Sequence, residues 1–113
     1  MTSIEFAKTA AKALDDKKGQ EIKILKIEDL TVIADYFVIA TGASTTQVKA
    51  LANEAEHQLQ QAGAVLNHRE GFNSGGWILL DFGAVIVHIF LPATRDFYSL
   101  EKLWADATEI ANS

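Results

Sequence analysis

Apolar residues recur along this chain in two periods. Over residues 2–16 and 44–62 they return every three or four positions, the repeat of one helical face; over 21–27, 36–41, 77–82 and 85–91 they cluster or alternate as strands do. The first helical stretch lines up Ile4, Ala7, Ala11 and Leu14, with Thr2 and Glu5 at capping-box spacing ahead of it and Lys17, Lys18 and Gly19 as the stop. The second carries Val48, Leu51, Ala52, Ala55, Leu59 and Ala62, opens on Ser44 with Gln47 three residues on, and ends at Gly63. Residues 21–27 set Ile22, Ile24 and Lys26 against Lys23, Leu25 and Ile27, a strand with one face more polar than the other. The unbroken run YFVIAT over 36–41 is what a strand covered on both faces requires. Residues 29–35 read as an irregular or single-turn connection. A short strand is expected near 65–67, then a glycine-rich loop over 68–76; Pro92 closes the last strand. A final helix is expected from near Asp96 towards Ala111, burying Leu100, Leu103, Trp104, Ala107 and Ile110.

The organising stretch is residues 75–104, a hairpin that feeds into that helix. The Gly83-Ala84 step suits a two-residue turn, and a pairing of Phe82 with Val85 sets Asp81 opposite Ile86, Leu79 opposite His88 and Trp77 opposite Phe90. Alternation then gives one face made only of Ile78, Leu80, Val85, Val87 and Ile89, a core surface. The other face mixes Trp77, Leu79, Ile86 and Phe90 with Asp81 and His88, and reads as a surface to be covered. Phe97 and Tyr98 can cover part of it as ordinary core. Yet Trp, Tyr, Arg and His over one hairpin is also the make-up of an interface centre, where a few aromatic anchors dominate.

The order α-β-β-α-(β)-β-β-α makes this an α/β (α+β) chain, a mixed β-sheet flanked by helices in one domain spanning residues 1–113. At 113 residues and 49% hydrophobic composition it buries a core without staples. No apolar run reaches membrane-spanning length, and no signal-peptide layout opens the chain. The absence of cysteine excludes disulfides and thiolate metal sites and fits a cytoplasmic protein. A net charge of −5 argues against binding nucleic acid through phosphates and favours a basic protein partner.

Two stretches carry a family resemblance. One is the pattern of Gly76, Trp77, Asp81, Gly83, Val87, His88, Arg95, Phe97, Tyr98, Leu100, Glu101, Leu103 and Trp104; the other is DLTVIADYFVIATGAS at 29–44. Together they cover nearly the whole chain, which resembles the ribosomal silencing factor family, also called Iojap-like or RsfS. Ala84 departs from it, since relatives often carry a polar turn residue there. The resemblance implies a nucleotidyltransferase-like fold and a non-enzymatic translation repressor of the cytoplasm. Such a protein binds the large ribosomal subunit through ribosomal protein number fourteen and blocks joining of the small subunit when nutrients are scarce. Large-subunit assembly without silencing is the alternative, and a homodimer is implied for the free protein. The contact residues expected here are Trp77, Leu79, His88, Phe90, Tyr98 and Leu100.

The enzymatic rival is a nucleotide-handling transferase. Gly42-Ala43-Ser44 sits at the strand-to-helix junction where such enzymes meet a triphosphate, but the clustered acids that hold their metal are missing: Glu54 and Glu56 point to different sides of a helix, and Asp81 stands alone. Gly42 and Ser44 read better as a turn glycine and an N-cap. His57 on a polar helix side, His68 in a loop and His88 in mid-strand lack metal-ligand spacing. A His88–Asp81 dyad has no Ser or Cys nucleophile beside it. His88 either bonds locally, to Tyr98 or the backbone, or with Asp81 lends polar specificity to an apolar face. Arg95 and Glu101 are either helix-end charges or contact residues. No cofactor, metal or catalytic residue is expected.

Overall fold

The computed structural model describes residues 2–98 and 100–110, with the side chains of Phe97, Tyr98, Leu100 and Leu103 outside that description. The first helix, α1 (Ser3–Asp16), is followed by β1 (Gln20–Lys26), β2 (Tyr36–Thr41), α2 (Thr45–Gln61), β3 (His68–Glu70), β4 (Trp77–Asp81), β5 (Val85–Phe90), the short helices α3 (Pro92–Tyr98) and α4 (Leu100–Leu103), and β6 (Thr108–Ile110). The strands form one sheet in the order β3-β4-β5-β2-β1-β6, in which β2 and β5 run parallel and the other neighbours antiparallel. The single parallel pair exists because α2 carries the chain back along one face before the β4–β5 hairpin forms.

Both long helices begin as their caps dictate. Thr2 and Glu5 form the reciprocal capping box of α1, and the Ser44 hydroxyl accepts the Gln47 amide at the start of α2. They pack against each other on one face of the sheet. The core there joins Ala7, Ala11 and Leu14 of α1 and Val48, Leu51 and Leu59 of α2 to Ile24, Val38, Ile78, Leu80, Val87 and Ile89. The core face read from the hairpin pattern is the one the helices cover. On the reverse face Leu25, Ile27, Phe37, Ile39, Ile86 and Phe90 form a second cluster, fringed by half-buried Trp77, Leu79, Trp104 and Ala107.

Three expectations are corrected. The short strand lies at His68–Glu70, not 65–67, because it pairs with β4 in a register that sets His68 across from Asp81; Val65 is left 72% exposed. Pro92 starts α3 instead of merely closing β5, since its missing N–H and fixed φ suit the first helical turn, and the Leu91 carbonyl accepts the Arg95 amide. The final helix is shorter than expected, and the expected end at Ala111 lies outside the described residues. Helical structure ends at Leu103, a turn follows, and β6 pairs along β1 with Ile110 across from Ile24. The open edge of β1 offers that strand a ladder, so Ile110 joins the helix-side core while Trp104 and Ala107 reach the reverse face.

Candidate functional site

Sheet register arranges the reverse face in cross-strand rows. One runs Asp81, Ile86, Phe37, Leu25; the next runs Glu70, Leu79, His88, Ile39, Lys23; the third runs Trp77, Phe90, Thr41. The pairings of Trp77 with Phe90, Leu79 with His88 and Asp81 with Ile86 are those the hairpin pattern requires. The centre is apolar and the edges are polar, with Glu70 and Asp81 on the β3 side.

The predicted contact residues do not stand equally open. Trp77 and Leu79, on β4, are half-buried, and only three-residue β3 lies beyond them. His88 and Phe90, on β5, are buried in the sheet centre, at 4% and 1% exposure. They form a floor beneath the accessible pair. Tyr98 closes α3 and Leu100 opens α4; their side chains lie outside the described residues.

The floor is aromatic and tightly specified. The Trp77 indole Nε1–H donates to His88 Nδ1 at 3.2 Å, and the two rings of Trp77 and Phe90 lie 5.0 Å apart. His88 stacks nearly parallel to Phe90 and meets Phe37 edge-on at 4.7 Å; Trp104 meets the same Phe37 edge-on at 5.4 Å. Because Nδ1 accepts, a neutral His88 carries its proton on Nε2, a buried donor with no partner among the described residues. Burial pushes the imidazole down to a pKa of about 4, so it is neutral at physiological pH. His88 makes a local hydrogen bond, but with Trp77 as the partner where Tyr98 or a backbone group was expected.

Asp81 is not paired with His88 as a dyad. Its Oδ1 accepts the Gly83 amide at 2.7 Å and fixes the hairpin turn, where Gly83 has φ +83°. The other acids are also committed: Glu54 accepts from Gln58, and Glu56 pairs with Arg69 at 3.2 Å, on different sides of α2 as their spacing requires. Two amides at the β2–α2 junction are similarly spent, Ala43 on the Gln47 side chain and Gly42 on the Phe90 carbonyl. A Cβ on Gly42 would come within 2.8 Å of a Val48 methyl, so this glycine serves close packing. Among the described residues no group of three or more His, Cys, Asp or Glu is placed to hold a metal.

Arg95 was legible only as a charge of uncertain role, and it proves to be a structural clamp. It is 6% exposed, and its Nε donates to Glu101 at 2.8 Å while Nη1 donates to the Thr41 hydroxyl at 2.7 Å and to the Glu21 carbonyl at 2.9 Å. Glu21 sits at the irregular step of β1 with φ +48°, which turns that carbonyl towards the guanidinium. Glu101 also meets Lys23 at 3.0 Å, and the hydrogen bond from Arg95 chiefly holds its carboxyl down near 2. One ion-pair cluster thus fastens α3 and α4 to β1 and β2. Nothing in residue type alone distinguishes such a clamp from a surface charge.

The fold and this face define an α+β domain in which two helices seal one side of the sheet and the other side presents a half-open aromatic patch. The chain belongs to the ribosomal silencing factor family: the family model described as "Ribosomal silencing factor during starvation" matches residues 1–113. It is 42% identical over 107 residues to the ribosomal silencing factor of Bacillus subtilis, an alignment covering 95% of this chain and 91% of that protein. It is also 33% identical over 98 residues to a mouse protein named "Mitochondrial assembly of ribosomal large subunit protein 1", covering 80% of this chain and 41% of that one. A crystal structure of a Chromobacterium violaceum protein superposes with a TM-score of 0.91 at 45% identity, over 93% of this chain and 88% of the other.

Proposed function

We propose that this protein represses translation by binding the large ribosomal subunit through ribosomal protein number fourteen, at the surface that meets the small subunit, and so blocks subunit joining when nutrients are limiting. Family membership supports the ribosomal setting. The observation that carries the contact is the half-buried pair Trp77 and Leu79, held over a buried floor of His88 and Phe90 and bordered by Glu70 and Asp81. An aromatic anchor on a rigid base with a polar edge is how interface centres are built. Tyr98 and Leu100 extend the contact. Acidic net charge hastens encounter with a basic ribosomal protein in the cytoplasm. The mechanism is steric and asks no catalytic group, cofactor or nucleic-acid contact of this chain. In the free protein the same face closes against a second copy as a homodimer, which competes with the ribosome.

A role in large-subunit assembly is the second reading, favoured by the name of the mouse relative. Pelleting with purified large subunits, followed by addition of small subunits, tests the first. Binding that prevents joining, with both effects lost in a folded Trp77→Ala variant, supports silencing through this face. Binding without any effect on joining supports assembly, and no binding overturns both.

A further inference from the structure

We infer that the β1–β2 connection is a second docking element for the same protein partner, seating Leu30, Val32 and Ile33 in an apolar recess bordered by Lys or Arg side chains. The inference rests on the ribosomal reading above and extends its contact beyond the sheet. Leu30, Val32 and Ile33 are 46%, 104% and 64% exposed, and none of them packs into either core cluster. Three large apolar groups within four residues form a local patch that a monomer gains nothing by displaying.

The patch is held out by bonded structure. The amides of Leu30 and Thr31 both donate to the Ile27 carbonyl, and the Ile33 amide donates to the Thr31 hydroxyl at 3.2 Å. At the base, the Ile27 and Glu28 amides share the Asp35 carbonyl, while the Asp35 amide reaches Ala84 in the hairpin turn. A turn fixed in this way loses little freedom on docking. The base is also continuous with the candidate face, since Ile27 and Ala34 are buried in the same reverse-side cluster that Trp77 and Leu79 fringe.

Charge selects the occupant. Glu28, Asp29 and Asp35 flank the patch, against one cation, Lys26, which pairs with Glu28 at 3.4 Å and Asp29 at 3.6 Å. Three carboxylates and one ammonium leave the patch acidic. An anionic lipid surface or a nucleic-acid backbone is repelled. A basic protein with an apolar recess satisfies both features.

The test uses the full chain and purified large subunits. A Val32→Ser, Ile33→Ser double variant keeps its melting temperature, because neither side chain supports the core, and binds large subunits at least about tenfold more weakly. Asp29→Asn with Asp35→Asn makes the affinity less dependent on salt. Wild-type affinity in the double variant, alongside lost binding by Trp77→Ala, overturns the inference and leaves the ribosomal reading standing. A double variant that changes only self-association also overturns it. Failure of the wild type itself to bind removes the reading on which the inference rests, and the inference with it.

Discussion

The indole Nε1–H of Trp77 is donated to Nδ1 of His88, 3.2 Å away across the β4–β5 hairpin. The bond ties half-buried Trp77 to buried His88 and spends the indole donor internally, so in the contact proposed above a partner would meet the ring carbons of Trp77. It also requires a neutral His88. Burial lowers the folded-state pKa to about 4, below the ordinary value of 6.5, so protons bind the unfolded chain more readily. Stability from this group is complete above about pH 6.5, falls as pH drops, and is lost at about pH 4. That depression corresponds to about 3 kcal/mol. Urea midpoints measured from pH 7.5 to 4 should fall accordingly, and a His88→Gln variant should lack the descent between pH 6.5 and 4.5.

Glu101 works in a lower window. Its carboxyl is held near 2 against an ordinary 4.5, so its contribution is present above about pH 4.5 and disappears as pH falls towards 2. In a Glu101→Gln variant the loss of stability below pH 4.5 should be shallower than in wild type, as read from the same midpoints.

Removing Arg95 should be far more damaging than its place in a surface-type motif suggests. Arg95→Ala leaves the buried Thr41 hydroxyl and the Glu21 carbonyl without this donor and Glu101 without its chief partner, and each buried group so stranded costs about 1–3 kcal/mol. Hydrogen exchange should show residues 92–103 losing protection first. Arg95→Lys should recover only part of it, since an ammonium cannot reproduce the guanidinium fork.

Two glycines with positive φ make a contrast. A Cβ on Gly71 would collide with the Trp77 carbonyl, whereas one on Gly63 would meet nothing within 4 Å. Gly63→Ala should cost about 1 kcal/mol from left-handed backbone alone. Gly71→Ala should cost more and displace Trp77, which fluorescence of the indole would report together with weaker binding to large subunits.

Leu79→Glu tests the face itself. Leu79 is half-buried in the row between Glu70 and His88, so the variant should fold with a modest loss of stability and lose about 30-fold or more in affinity for large subunits. Sedimentation of wild type and variant with the subunits measures it.

Much of this architecture is written locally. The Thr2–Glu5 box, the Ser44 cap, the Gly63 stop and the Gly83-Ala84 turn act over three or four residues, and strand alternation alone assigns the two faces of the hairpin. The family motifs named the setting. What the sequence left undecided depends on partners distant in the chain. Residues 103–110 carry apolar groups at a spacing that fits a helix, yet the open edge of β1 made the last three a strand. Arg95 became a clamp because Thr41, 54 residues away, and Glu21, 74 residues away, converge on it. Strand alternation placed Trp77, Leu79, His88 and Phe90 on one face, but only the strand order made β5 central and β4 nearly an edge, burying His88 and Phe90 while leaving Trp77 and Leu79 half-buried. Side-chain periodicity fixes direction relative to the backbone, whereas exposure is fixed by what other segments pack above it, a property no local pattern contains.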